Sequence, residues 1–316
     1  MTHTGLSSSP PAIFILGPTA SGKTSLALTL AERLPVELVS VDSAQVFVGM
    51  DIGTAKPDAD TLARYPHHLI NLITPDRRYS AAAFRADALR VMKDIVARGK
   101  VPLLVGGTML YFKALREGLA DLPPADAALR GELDAKAARL GWPVLHAELA
   151  RLDPETASRL DPKDAQRIQR ALEIVLTTGR SLGELYASQR KQPFPFRTVE
   201  LGLLPSDRTV LHARIAERFR AMLDSGLVAE VESLRRTYPL DAGLPSMRSV
   251  GYRQVWEMLE GRIPYAELED RGIFATRQFA KRQLTWLRSM TGIQPLDCLD
   301  KTIEARVLAL LQRFLA

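Results

Sequence analysis

AIFILGPTASGKTSLALTLAERL, residues 12–34, sets an apolar run, a glycine-bounded loop and an amphipathic stretch in direct succession. The run 12–16 is short, continuous and bounded by Pro11 and Gly17, which suits a strand buried on both faces of a parallel sheet. Residues 25–34 carry apolar side chains at helical spacing. Between them, Gly17-x4-Gly22-Lys23-Thr24 fits the phosphate-loop pattern without deviation. In such a loop (Gly17, Pro18, Thr19, Ala20, Ser21, Gly22, Lys23, Thr24) the glycines let successive N–H groups turn inward around an anion, and the following helix adds its positive end. Lys23 supplies a mobile charge, and the Thr24 hydroxyl can ligate a magnesium ion that bridges phosphate oxygens.

Outward from this loop the alternation continues. Residues 36–41 read as a second strand ending at Asp42, and 67–73 as a short third one. Ser80 caps a helix over 81–97 with Gly99 beyond its end, and 101–105 is a further buried strand closed by Gly106-Gly107-Thr108. Strands and helices in this order predict an α/β fold with a P-loop NTPase-like parallel sheet. The character changes after about residue 115, where strands give way to an Ala-, Leu-, Arg- and Glu-rich tract. One helix there has Asp161 as N-cap, Pro162 at its first position, Asp164 in its first turn and Gly179 as its stop. KQPFPF (191–196) reads as a linker and 198–205 as a strand, followed by helices over 207–236, 247–260 and 271–290 and a short strand near 293–296. The expected organisation is a disordered leader (1–11), an α/β core (12–115 and 197–316) and an inserted all-helical domain (116–196).

Composition sets bounds. At 46% apolar and 25% charged residues, with no apolar run near the roughly 18–20 residues of a bilayer span, nothing points to a membrane. A single cysteine, Cys298, excludes an internal disulfide and a multi-thiolate zinc site, which points to a reducing, cytoplasmic setting. The net charge of +6 is compatible with a polyanionic partner, and its distribution says more. No acid lies between Asp270 and Asp297, whereas Arg271, Arg277, Lys281, Arg282 and Arg288 do. A solvated helix face explains that run equally well.

The leaving group is not settled by the loop. NKxD and DxxG, which a GTPase would need, are absent from the sequence, and Val39-Ser40-Val41-Asp42 is a weak match to a motor ATPase's acidic strand end. Asp42 instead stands where an open α/β sheet places substrate groups, so its carboxylate either accepts a proton or caps the following turn.

GPTASGKT, VSVDSAQVF (39–47), GMDIGTAKP (49–57), LLVGGTMLYFKAL (103–115), SVGYRQVWE (249–257) and ATRQFAKRQLTWLR (275–288) occur in this order. Together they resemble the bacterial tRNA dimethylallyltransferase (tRNA isopentenylpyrophosphate transferase) family from about residue 12 to about 297. The resemblance implies transfer of a dimethylallyl group from dimethylallyl diphosphate, with Mg2+, to N6 of adenosine 37 in tRNAs that read codons starting with U. It assigns Asp42 to the adenine amine and Thr19 to the donor site that holds the diphosphate with Lys23 and Thr24. Arg218 is the candidate for a second cation on the diphosphate, and a solvated helix face explains it nearly as well. Ser43, Ala44, Gln45 and Thr108 fall along the channel for a flipped base. Arg130 and Gln166, Arg167, Ile168, Gln169 and Arg170 of the insertion, with Met247, Arg248, Ser249, Val250, Gly251, Tyr252 and Arg253, belong to the surface gripping the anticodon stem-loop around A36-A37. Ala280, Lys281, Arg282, Gln283, Leu284 and Trp286 complete it, although Trp286 taken alone reads as core, and His67 reads equally as a core or capping residue and as a substrate contact. Phe47 and Val48 stand where relatives carry Tyr and Lys, so neither hydroxyl nor ammonium can act there.

Two other readings stay open on the residues alone. A metabolite kinase of the shikimate-kinase type shares the loop and the acid after strand 2, and a nucleotide-dependent RNA-binding switch shares the loop and the basic surface. Prenylation of free AMP is a variant of the transferase reading. With no coiled coil evident, a monomer is the default expectation.

Overall fold

The computed structural model describes residues 9–120, 122–123, 126–188 and 193–316. Most of the expected leader, residues 1–8, lies outside the described residues, and Pro11 already belongs to a strand. In chain order, β1 (Pro11–Leu16) leads through the phosphate loop into α1 (Lys23–Arg33), and β2 (Val36–Val41) precedes α2 (Ala59–Arg64) and the two-residue β3 (His67–His68). Next come α3 (Ala81–Ala97), β4 (Val101–Gly106) and α4 (Met109–Glu117). Five helices follow: α5 (Ala127–Leu140), α6 (Trp142–Leu152), α7 (Pro154–Ser158), α8 (Ala165–Thr178) and α9 (Leu182–Ala187). β5 (Arg197–Leu204) rejoins the sheet. After it come α10 (Arg208–Asp224), α11 (Leu227–Thr237), α12 (Tyr252–Leu259), α13 (Leu268–Ser289), β6 (Gln294–Asp297) and α14 (Ile303–Leu315).

The six strands pair in parallel in the order β3-β2-β4-β1-β5-β6. β1 is central, and its period of two serves both faces. Phe14 and Leu16 pack with Phe84, Ala88 and Phe112 from α3 and α4, while Ile13 and Ile15 pack with Leu26 and Leu30 of α1 and with Val307 and Leu311 of α14. Each of the larger side chains, fully removed from water, contributes roughly 1.5–3 kcal/mol before entropy is subtracted. Ser80 caps α3 by accepting from the Ala83 N–H.

Several boundaries differ from the sequence expectation. α8 begins at Ala165 with Asp164 as its cap, because Asp161 instead accepts from the Lys163 N–H and closes a separate turn. Gly179 does end that helix, at φ 66°. The helical stretch 207–236 is broken at Gly226, whose φ of 97° is left-handed. Phe194 and Phe196 are core residues, with the Phe194 ring 6.1 Å from Phe14 and 5.4 Å from Phe196, so the supposed linker seals the sheet; residues 191 and 192 lie outside the described set. α14, which the sequence reading lacks, covers the α1 face of the sheet.

Where β2 and β4 pair at Val41 and Gly106, a β-carbon on Gly106 would stand 2.0 Å from the Val41 carbonyl oxygen. Backbone cannot yield as a flexible side chain would. Gly106→Ala is therefore expected to lower stability by about 3 kcal/mol, the upper end for overpacking, read as a fall in the urea midpoint. An unchanged midpoint would refute the close approach.

Two compact units are present, Met1–Arg116 with Phe194–Ala316, and Glu117–Pro193. The second has its own core of Leu133, Leu145, Leu149, Ile168 and Leu172. Among the described residues, no helix is long and apolar enough to cross a membrane.

Candidate active site

A cavity of about 380 Å3 opens where β1, β2 and β4 end, which is where an open parallel sheet whose chain leaves in both directions from one strand presents its crevice. Each of these strands delivers one chemical group. β1 gives the phosphate loop, β2 gives Asp42, and β4 gives Gly106-Gly107-Thr108. The far wall is α10, with Ile215, Arg218 and Phe219, and α13, with Phe279, Arg282 and Gln283.

Gly22 turns the loop into α1 at φ 82°. Thr19, Lys23 and Thr24 line the cavity. The Lys23 ammonium donates to the Pro18 carbonyl at 2.5 Å. Burial, and next the Arg218 guanidinium, pull its pKa down to about 7, while Asp42 acts in the opposite direction. Arg218 is itself pushed down by burial and supported by Asp42. Two cations and one carboxylate thus share a desolvated space. Arg218 Nε, on a side chain that lines the cavity, is among the buried polar atoms without a hydrogen-bond partner in the described residues, which fits an anion beside it.

Asp42 has the turn-closing role and stands at the cavity as well. Its Oδ1 accepts from the Ala44 N–H at 2.8 Å and the Gln45 N–H at 3.3 Å, closing the turn, while the side chain also lines the cavity. Gln45 accepts from Ser40 Oγ at 2.8 Å, and Thr108 Oγ1 accepts from the Ser43 N–H at 3.1 Å, so the β2 and β4 loops are tied together. Among the described residues, no group of three or more His, Cys, Asp or Glu is placed to hold a metal. Thr24, the residue expected from sequence to ligate a divalent ion, lines the cavity beside Lys23.

The residues expected around the nucleic acid fall into distinct groups. Arg248, Ser249, Val250, Gly251 and Arg282 line the cavity, as do Ser43, Ala44, Gln45 and Thr108. Gln283 also reaches it but is 6% exposed, and its amide is engaged at both ends. It accepts from the Thr19 N–H and donates to the Gly107 carbonyl, both at 2.9 Å, and so pins the phosphate loop to the β4 loop. Met247, Tyr252, Ala280 and Leu284 are buried in the cores beneath. Arg253 pairs with Glu257, and Lys281 is exposed. Trp286 is 37% exposed, against the reading of it as core. His67 lies on β3 with Nδ1 2.7 Å from the Tyr65 carbonyl, in the capping role and away from the cavity lining. Phe47 is buried in the core formed with α10–α13, while Val48 is exposed.

In the helical unit, Arg130 and Arg170 both hold the buried Glu173, at 3.0 and 2.8 Å, which draws that carboxyl's pKa down against its burial. Gln169 donates to Asp134 at 2.7 Å, Ile168 is core, and Gln166 and Arg167 are exposed, with Arg167 3.5 Å from Asp164. Glu230, the apolar wall of Ile215, Phe219 and Phe279, and the segment Gly53-Thr54-Ala55 are features the sequence reading gave no role.

A phosphate loop feeding a parallel sheet, with two cations and a carboxylate at its open end, defines a P-loop protein built to hold a phosphorylated substrate against a second reactant. The IPP transferase family model matches residues 45–290. The chain is 62% identical over 307 residues to a tRNA dimethylallyltransferase of Dechloromonas aromatica, covering 97% of this chain and 98% of that one. It is 56% identical to that of Nitrosomonas europaea, covering 96% of each. Among solved structures, the tRNA isopentenylpyrophosphate transferase of Bacillus halodurans superposes with a TM-score of 0.70 at 35% identity over 97% of both chains. A eukaryotic dimethylallyltransferase acting on tRNA reaches 0.82 at 27%, covering 97% of this chain and 79% of that one. The chain belongs to the IPP transferase family.

Proposed function

We propose that this protein transfers the dimethylallyl group of dimethylallyl diphosphate to N6 of adenosine 37 in tRNAs that read codons starting with U, releasing diphosphate. The observation that carries the reading is the meeting of Lys23, Arg218 and Asp42 in one cavity. The carbon–oxygen bond to the diphosphate breaks as the carbon–nitrogen bond to N6 forms. Lys23, Arg218 and the loop amides stabilise the charge gathering on the departing diphosphate. Asp42 orients the weakly nucleophilic amine and accepts its proton. A magnesium ion held by Thr24 and the phosphate oxygens would neutralise further negative charge on the leaving group. The apolar wall of Ile215, Phe219 and Phe279 suits the allyl chain and keeps water from its cationic carbon.

Adenosine 37 leaves its stack to enter the cavity beside Thr108, while A36 and the rest of the anticodon stem-loop stay outside. The helical unit (Glu117–Pro193) contacts that stem-loop, and so do the α13 cations. Phosphate contacts are the task of exposed cations, so Arg167→Ala is expected to weaken tRNA binding and reduce its salt slope by about 1. Arg130→Ala, by removing one partner of a buried carboxylate, is expected to lower the unit's stability by about 1–3 kcal/mol, with a smaller effect on the slope. Filter binding across a salt series and urea melts separate the two, and the reverse pattern would reassign both arginines. The protein acts as a cytoplasmic monomer in this reading.

The test incubates the protein with dimethylallyl diphosphate, magnesium and unmodified tRNA bearing A36-A37, with AMP in a parallel tube, and seeks N6-dimethylallyladenosine by mass spectrometry. Product on tRNA and none on AMP is expected. Product on AMP alone would overturn the RNA assignment, and phosphoryl transfer from ATP without prenylation would overturn the whole reading.

A further inference from the structure

Glu230, on α11, takes no part in the chemistry above. Its Oε2 accepts from the Asp51 N–H at 3.0 Å and the Ile52 N–H at 2.7 Å, and its Oε1 accepts from the Gly53 N–H at 3.3 Å. The Tyr252 hydroxyl donates to Oε1 at 2.5 Å. Three successive amides aimed at one anion form the same kind of cradle as the phosphate loop, here filled by a resident carboxylate. The segment so held runs directly into Gly53, Thr54 and Ala55, which line the cavity. Ala55 sits at φ 48°, a left-handed conformation that a β-carbon disfavours and that persists only where its surroundings impose it. Lys56, 2% exposed at its side chain, fixes the other end by donating to Phe47 O and Asn71 Oδ1. Tyr252 follows Gly251, another lining residue, at φ 91°.

We propose that Glu230 is a positioning residue for prenyl transfer, one carboxylate fastening two cavity walls, the 53–55 segment and the Gly251 turn. The inference rests on the proposed function. Glu230 is not itself among the residues lining the cavity, so it acts through those walls.

The test compares Glu230→Gln, Glu230→Ala and Tyr252→Phe with the unaltered protein for turnover and donor KM, with and without added formate, alongside hydrogen exchange over 51–55. In Glu230→Gln the oxygen can keep the Asp51 and Ile52 N–H groups only by turning the NH2 toward the Gly53 N–H, two donors face to face, so turnover is expected to fall, by up to about a hundredfold, the loss for reacting groups displaced by about 1 Å. Tyr252→Phe is expected to lose less. Formate, a free carboxylate that can enter the vacated cradle of Glu230→Ala, is expected to restore at least tenfold, which a general loss of folding would not allow. Turnover within threefold of the unaltered protein in both Glu230 variants would overturn the proposal, as would a loss that tracks the fraction unfolded and ignores formate. If the unaltered protein transfers no prenyl group, the proposed function fails, and exchange at 51–55 still reports the clamp by itself.

Discussion

Asp42→Asn is expected to lower turnover by about two to four orders of magnitude, the usual worth of a positioned general base, while the fold stays intact. Asparagine is the decisive replacement because the proposed reaction gives Asp42 a second duty beside its place in the turn. Its Oδ1 closes the turn through the Ala44 and Gln45 N–H groups, and an amide oxygen can accept the same bonds. What asparagine cannot do is take a proton from the adenine amine. Asp42→Ala would remove both roles and add about 1 kcal/mol of lost capping, blurring the reading. Single-turnover product formation at saturating donor, beside a urea melt, is the measurement. Turnover within threefold of the unaltered protein would remove Asp42 from the proton path and leave it a turn residue.

Lys23→Met is expected to abolish transfer, by about a thousandfold in kcat/KM, and yet to make the free protein more stable at pH 6.5. The first effect follows from losing a desolvated cation opposite the leaving group, where one such interaction is worth about 10²–10³ in rate. The second follows from Lys23 being held at about 7 by burial and by Arg218. A fall from 10.5 to about 7, at about 1.4 kcal/mol per pH unit, corresponds to roughly 4–5 kcal/mol of strain when the fold must carry the charge. The folded pKa lies below the unfolded one, so the native state binds fewer protons between pH 7 and 10.5. Stability of the free protein should therefore rise with pH across that window and be lowest below it. Methionine fills a similar volume without the charge and should flatten the rise. Urea midpoints at pH 6.5 and 9.5 check this, and equal slopes in the two proteins would refute it. Donor binding should show the opposite trend, tightening as pH falls toward 7, because the diphosphate needs Lys23 charged.

Much of this arrangement was legible from residue order. A glycine-bounded loop between a strand and a helix has one common meaning, and Ser80 and Gly179 mark helix ends because capping is local chemistry. Competition between equivalent signals was not legible. Asp161 and Asp164 are both good caps, and the sequence does not show that Asp161 is used up in the turn it closes with the Lys163 N–H while Asp164 accepts from the Arg167 N–H. That Arg130 and Arg170 both pair with Glu173 was not legible, because sequence does not reveal that this carboxylate is buried between them. Gln283 and Glu230 were least accessible. Each lies within an amphipathic helix where a polar residue at a solvent position would look the same, and each is defined by backbone groups from distant segments, Thr19 and Gly107 for one and 51–53 for the other.

The position of β1 between β4 and β5 has a consequence for how the chain is made. Ala12 pairs with Thr198, so the strand carrying the phosphate loop waits for most of the polypeptide before its second neighbour is synthesised. During that interval β1, β2 and β4 can associate, with α1 and α3 covering their faces, but the inner edge of β1 remains an open row of peptide groups able to capture other strands. The helical segment that emerges meanwhile has its own core and can fold while the ribosome completes β5. Shortening that segment should bring the partner strand sooner and speed sheet closure, since the closure entropy grows with the length of the intervening chain.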